Sequence, residues 1–231
     1  MLKRFTLFLV ALLALTPAAK SQNFFDTSEA SRFFTFGARL GFNTSNRTFP
    51  SGHFNMWNNN GWGTGLDVGI VANLNFKEYL TIQPGIFFDS RSGNYSYVTS
   101  YLNVLGEDSE LFQTGHLRNY NLTIPIMGIV KFNVTSYFKW NVELGPYLQF
   151  YLKNTGLNAI AVLWRNPLLT HYTSYYAKHN NFDVGLKMGT GMTLFDHYYV
   201  GIHYLAGFCH TWGNPSGGHN KSWMFTIGYE L

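Results

Sequence analysis

Cysteine is almost absent from this chain: Cys209 is the only one in 231 residues. An internal disulfide is thereby excluded, as is a lipid-attachment cysteine behind an N-terminal signal, and Cys209 reads as an inert small residue. Charge is scarce as well, Asp, Glu, Lys and Arg together making up 12% of the chain, about half of what an ordinary soluble domain carries. Long apolar runs are missing too. Beyond Phe5 to Leu15 no stretch approaches the roughly 20 residues that a membrane-crossing helix requires. The loop histidines His171, His179, His210 and His219 lack ligand spacing and a short Cys or carboxylate pattern, so they suggest no metal centre. The glycines and asparagines around Gly61 to Gly65 do not lead from a strand into a helix, so no phosphate loop is suggested either. No cofactor is expected.

What the chain does have is glycine, with 23 residues, and aromatic side chains at 18%. The mean hydropathy is nonetheless close to zero, because apolar and polar residues alternate. From Trp62 to Phe76 one face reads Trp62, Thr64, Leu66, Val68, Ile70, Ala72, Leu74 and Phe76, and the other is Gly, Asp and Asn with Val71. A period of two with one oily row is a strand with one apolar side. The row is as long as the 9 to 11 residues a tilted strand needs to cross a bilayer. Equivalent rows run from Phe34 to Phe42, Leu80 to Phe88, Tyr120 to Phe132, Phe138 to Leu152, Phe182 to Leu194, Tyr198 to Phe208 and Trp223 to Leu231, making eight strands.

The first residues have the layout of a secretory signal peptide: Lys3 and Arg4, then the apolar run, then Pro17 and the small-residue site at Ala19 and Ser21. Cleavage is expected before Gln22, giving a signal peptide over 1–21, a periplasmic N-terminal segment over 22–32 and a single barrel domain over 33–231. Without Lys3, Arg4 and Lys20 the chain keeps 13 basic residues against 12 acidic ones, a net charge of +1. The apparent basicity belongs to targeting and is not a nucleic-acid footprint.

Connections between the strands alternate in length. Tight turns are expected near Lys77-Glu78-Tyr79, Thr135-Ser136-Tyr137 and Phe195-Asp196-His197, and long loops from Asn43 to Gly61, Asp89 to Leu117, Lys153 to Asn181 and His210 to Lys221. This is the pattern of an all-β, eight-stranded antiparallel transmembrane β-barrel with short periplasmic turns and long extracellular loops. A soluble lipocalin-like barrel also alternates, but its outside must carry enough charge for water. Here the polar row has too few charges for that, while a mixture of Arg39, Asp67, Asp89, Arg91, Lys131, Lys139, Glu143, Lys153, Asp183, Lys187 and Glu230 suits a narrow lumen.

Three segments carry a family resemblance: Thr35-Phe36-Gly37-Ala38-Arg39-Leu40-Gly41-Phe42-Asn43, Leu122-Thr123-Ile124-Pro125, and Phe182-Asp183-Val184-Gly185-Leu186-Lys187 leading to Gly189 and Gly191. In these the chain resembles the PorT-like outer-membrane β-barrel family over nearly all of its mature length. The resemblance implies a Gram-negative outer membrane, an eight-stranded barrel and, for the namesake, a part in type IX protein secretion. The partners it implies are outer-membrane lipid and the barrel-assembly machinery during insertion, with no nucleic acid.

Pro84, Pro125 and Pro146 each remove a ladder donor, and a bulge or a position near a rim is expected at each. Chemistry on lipid A would need a His and a nucleophile on the lipid side near the outer rim, and the lipid-type rows contain neither Ser nor His. The chain therefore reads as non-enzymatic. Arg39, Asp67, Asp89, Glu143, Asp183 and Lys187 are expected to form a charge network in the lumen, with Arg39 and Glu143 at similar depth. Loop aromatics, notably Tyr95, Tyr97, Trp164, Tyr175 and Trp212, either extend strands above the membrane or form a contact surface for a protein or glycan. The reading is thus a scaffold for its extracellular loops, with a secretion component or a small pore as alternatives.

The topology is open to a direct check. An epitope tag near Gly217 is expected to be reached on intact cells and one near Ser136 only from the periplasm, with the protein migrating as a heat-modifiable band in the outer-membrane fraction. Recovery as a soluble periplasmic protein would overturn the assignment.

Overall fold

The computed structural model describes residues 24–48, 59–102, 108–155, 181–209 and 219–231. Residues 1–21, read from the sequence as a signal peptide, and with them Trp164, Tyr175 and Trp212, lie outside the described residues. The strands are β1 (Phe34–Thr48), β2 (Asn59–Lys77), β3 (Leu80–Leu102), β4 (Asp108–Thr135), β5 (Phe138–Thr155), β6 (Phe182–Leu194), β7 (Tyr198–Gly207) and β8 (His219–Glu230). Each pairs antiparallel with its neighbour in sequence, and β1 pairs with β8 from Gly37↔Glu230 to Thr48↔His219, closing the barrel. Closure leaves no unpaired edge, which a sheet standing in lipid cannot tolerate.

The side chains are arranged inside out relative to a soluble protein. Leu66, Ile70 and Ile227 point outward, 63%, 64% and 57% exposed, while Asn43, Thr81 and Asp89 on the inward rows are fully enclosed. Bulky and β-branched residues favour the pleated outer face, where lipid replaces water. Small inward residues let the narrow interior accommodate larger ones. A Cβ on Gly41 would come within 2.2 Å of Asp67 Oδ2, and one on Gly201 within 2.3 Å of the Tyr199 hydroxyl.

Three details depart from the sequence reading. The segment from Asp89 to Leu117 is not a loop: β3 and β4 stay paired from Leu80↔Val130 to Leu102↔Asp108, forming a hairpin that rises well past the apolar rows. Above the bilayer neither face meets lipid, so the alternation in polarity ends while the pairing continues. Tyr95 and Tyr97 lie on this extension. Lys153, assigned to the inward row, pairs with the outward Tyr120 beyond a register shift between Tyr120 and Asn121, and is exposed.

The prolines form the third departure. Neither a bulge nor a rim explains them, because the ladder keeps one register on both sides of each. Between Val71↔Gly85 and Leu74↔Ile82, between Pro84↔Ile126 and Phe87↔Thr123, and between Pro125↔Tyr147 and Gly128↔Leu144, two residue pairs drop out and pairing then resumes. The skipped pairs contain Pro84, Pro125 and Pro146 in turn, so the interruptions run diagonally across β2 to β5. Strand pairing clamps both ends of every gap, and the faces are not exchanged. The register shifts that do occur involve Trp62/Asp67, Asn75/Lys77, Tyr120/Asn121 and Asn133/Thr135.

At the periplasmic end the three tight turns form where expected. In the β6–β7 turn Phe195 and Asp196 have φ of 53° and 60°, the consecutive left-handed pair of a type I′ hairpin turn. Phe195 is steadied there by stacking on Tyr137 at 5.9 Å, and Asp196 by Lys139 at 2.8 Å. The segment before β1 follows the same rim. Asn133 N donates to Phe24 O, Glu78 N to Ser28 O and Asn75 N to Phe33 O, while Phe24 and Phe25 pack on Phe132 and Tyr79. Ser28 donates to the exposed Asp26 carboxylate and holds it below its ordinary range. Phe132, Trp140, Tyr198 and Tyr229 form the aromatic girdle here, and Trp62, Tyr120, Phe150 and Trp223 its counterpart at the other interface.

The face assignment predicts a contrast between substitutions. Val68→Arg or Leu144→Arg puts a cation against lipid and is expected to cost about 2 to 4 kcal/mol in a folding assay. Thr193→Arg, on the wall of the water-filled periplasmic end, is expected to cost far less. Equal tolerance of all three would show the faces to be wrong.

Candidate functional site in the barrel lumen

The inward rows of all eight strands meet in a lumen with three distinct levels. Nearest the periplasm is an open vestibule of about 340 Å³, walled by residues that include Arg39, Asn73, Asn75, Lys131, Asn141 and Glu230. Arg39 forms an ion pair with Glu230 of β8. The other Glu230 oxygen accepts from Asn73 Nδ2 at 2.6 Å, and Asn73 Oδ1 accepts from Gln83 Nε2 at 2.6 Å. Asn75 Oδ1 accepts from the Thr81 hydroxyl at 2.6 Å and from the Lys131 ammonium at 3.1 Å.

Above the vestibule the lumen is filled. The Arg39 guanidinium lies 4.2 Å from the centroid of the Tyr199 ring, a favourable cation–π position. The Tyr199 hydroxyl donates to Glu143 Oε1 at 2.7 Å, and His203 Nε2 lies 2.9 Å from Glu143 Oε2. His203 and Glu143 side chains are both only 2% exposed. Lys187 places its ammonium 4.9 Å from the Phe87 ring centroid and has Glu143 and Asp67 as opposite charges nearby. Tyr147, Leu205 and Met224 pack together as the apolar part of the same layer.

The outer level is polar and tight, leaving a second cavity of only about 20 Å³. Asp89 pairs with Arg91 at 2.9 Å and accepts from Asn121 at 2.7 Å and from Thr123. Asp183 accepts from Asn220 at 3.0 Å and from the Cys209 backbone N–H at 3.1 Å. The Ser45 and Ser222 hydroxyls meet at 2.9 Å. Asp67 faces Asp89 across the β2–β3 ladder, and neither of its buried oxygens receives a hydrogen bond. Its charge is offset by the nearby Lys187 and Arg91.

All six predicted lumen residues therefore point inward, but they do not form the expected pairs. Arg39 binds Glu230 and not Glu143; the Tyr199 ring and hydroxyl stand between the two. Asp183 belongs to a separate cluster with Asn220. The sequence reading passed over Tyr199 and His203 because it considered histidines in loops alone. Parity would have found them, since both share the inward row of β7 with Gly201. Of the contact-surface residues, Tyr95 and Tyr97 fall on the outer part of β3, and the side chains of that part lie outside the described residues. The arrangement holds charges in place: His203, the one buried histidine among the described residues, and its partners Glu143 and Tyr199 are closed around each other.

The sequence matches the family described as "Outer membrane protein beta-barrel domain" over residues 20–212. No curated protein matches it. Among solved structures it is similar to OprG of Pseudomonas aeruginosa, with 12% identity over 90% of this chain and 98% of that one and a TM-score of 0.45. Ail of Yersinia pestis, solved in complex with the heparin analogue sucrose octasulfate, gives 11% identity, 87% and 100% coverage and a TM-score of 0.38. Neisserial surface protein A gives 11% identity, 85% and 96% coverage and a TM-score of 0.38. On the family match, and in keeping with its closed barrel and outward apolar rows, this chain belongs to the outer membrane protein beta-barrel domain family and resides in the outer membrane of the Gram-negative envelope.

Proposed function

We propose that this protein is a non-enzymatic scaffold, a barrel stoppered by its own side chains that presents the β3–β4 hairpin and the neighbouring loops for contact with a protein or glycan outside the cell. The observation carrying the proposal is the filled middle of the lumen, where Arg39, Tyr199, Glu143, His203 and Lys187 interlock between the vestibule and the outer polar level. An eight-stranded barrel has an interior just wide enough for side chains to fill. A charge buried there without a partner is costly.

The length of the hairpin is the second support. Pairing that continues to Leu102↔Asp108 gives the extracellular side a two-stranded platform, which favours strand extension as the role of Tyr95 and Tyr97. The PorT-like motifs keep a part in type IX secretion as a narrower form of this reading, with the same surfaces making the protein contacts.

Planar-bilayer recording on the purified protein tests the stopper. Silence is expected from the wild type, with leak appearing in Glu143→Ala or Arg39→Ala; steady wild-type conductance would overturn the proposal in favour of a small pore. The same variants are expected to lose on the order of 3 kcal/mol of stability, because each leaves a buried charge without its partner. Midpoints of unfolding in denaturant report that loss.

A further inference from the structure

The periplasmic vestibule is not needed by a scaffold whose work is done on the other side of the membrane. At about 340 Å³ it reaches the lower end of the range for small-molecule sites, and its walls are more polar than apolar. Its mouth opens at the short-turn rim beside Ala30 to Arg32, Glu78 and Asp196, so solutes of the periplasm reach it directly.

The charges on its wall are unequal. Three acidic side chains line it, and all are engaged: Glu230 by Arg39, Asp196 by Lys139 at 2.8 Å and Glu78 by the same Lys139 at 3.7 Å. Two further ammonium groups on the wall, Lys77 and Lys131, have no carboxylate within 4.0 Å among the described residues. Lys131 is half-buried. It spends one of its three donors on Asn75 Oδ1, whose amide nitrogen is itself tied to Arg32 O at 3.0 Å. An ammonium recessed among neutral amides, with no carboxylate at ion-pair distance, attracts an anion.

We infer that the vestibule is a binding site for a phosphate group presented from the periplasmic side, with Lys131 as its principal ligand and Lys77 as the second. The Arg39 guanidinium is committed to Glu230, while Arg32 adds an exposed guanidinium at the mouth with no carboxylate within 4.0 Å among the described residues. Three such cations around one recess suit a multiply charged tetrahedral anion, which ammonium groups bind as point charges and a guanidinium binds as a fork. The closed inner end and the amides and cations of the wall leave room for a phosphorylated small molecule. The same phosphate chemistry is available from free phosphate esters and from phospholipid headgroups curling round the rim. This site does not depend on what the extracellular loops recognise.

Calorimetric titration of the folded barrel in uncharged detergent at low ionic strength, with inorganic phosphate as the probe, tests the inference. Saturable binding is expected, weakened at least tenfold in Lys131→Gln and to a smaller extent in Lys77→Gln. It is expected to be unchanged in Lys153→Gln, which removes the same charge from the exposed outer part of β5. Glu78→Gln should tighten binding by freeing Lys139 from one of its carboxylates. Heat-modifiable migration establishes that each variant is folded, and Lys77→Gln keeps the test alive if Lys131→Gln does not assemble. Repeating the titration in nanodiscs separates the sources: phosphate binding that survives in anionic lipid assigns a soluble ligand, and binding abolished there but retained in zwitterionic lipid assigns the headgroup. Absence of saturable binding, or equal binding by wild type, Lys131→Gln and Lys77→Gln, would overturn the site.

Discussion

Every backbone N–H and C=O that stands in the hydrocarbon must find a partner within the protein, because lipid offers none. That constraint accounts for the closure of β8 on β1 and for the short hairpins that keep neighbouring strands in register. It also explains why the three prolines are tolerated. Proline contributes no N–H to go unsatisfied, and each interruption is limited to two residue pairs between intact stretches of ladder. The wall therefore carries its defects as a diagonal stripe and not as a bulge, and the apolar rows stay on the lipid side along the whole of each span.

The same scarcity of water governs the interior. An eight-stranded lumen is too narrow to hydrate its charges generously, so they are found in contact: Arg39 with Glu230, Arg91 with Asp89, and Glu143 with His203 and Tyr199. The glycines of the inward rows make this packing possible by leaving space where an aromatic ring or a carboxylate from the next strand must lie. Asp67 and Lys187 are exceptions: Asp67 is enclosed without a hydrogen bond, and Lys187 lies over the Phe87 ring with no carboxylate within 4.0 Å among the described residues.

Water returns at the periplasmic end. There the network thins into amides and lysines around a vestibule, and the chain before β1 is pinned along the rim by backbone hydrogen bonds and by Phe24 and Phe25. The molecule is thus divided along its axis into an open periplasmic recess, a middle filled by side chains and a hydrogen-bonded outer level crowned by a hairpin.

Much of this was legible in the chain itself. Period-two alternation is a local property, so the Trp62 row or the Leu144 row could be assigned to lipid, and Arg39, Asp67, Asp89, Glu143, Asp183 and Lys187 to the lumen, from residue parity alone. Loop-length alternation gave closure and orientation for the same reason. What parity cannot supply is register between strands distant in sequence. Whether Arg39 meets Glu143 or Glu230 depends on how β1 staggers against β8 and how β5 curves across the lumen, and only the closed barrel decides it. The β3–β4 hairpin escaped detection because above the membrane the polarity pattern that betrays a strand has no physical cause. The outcome at the prolines depended likewise on the ladders at either side, which hold the register that a single chain in isolation would have been free to lose.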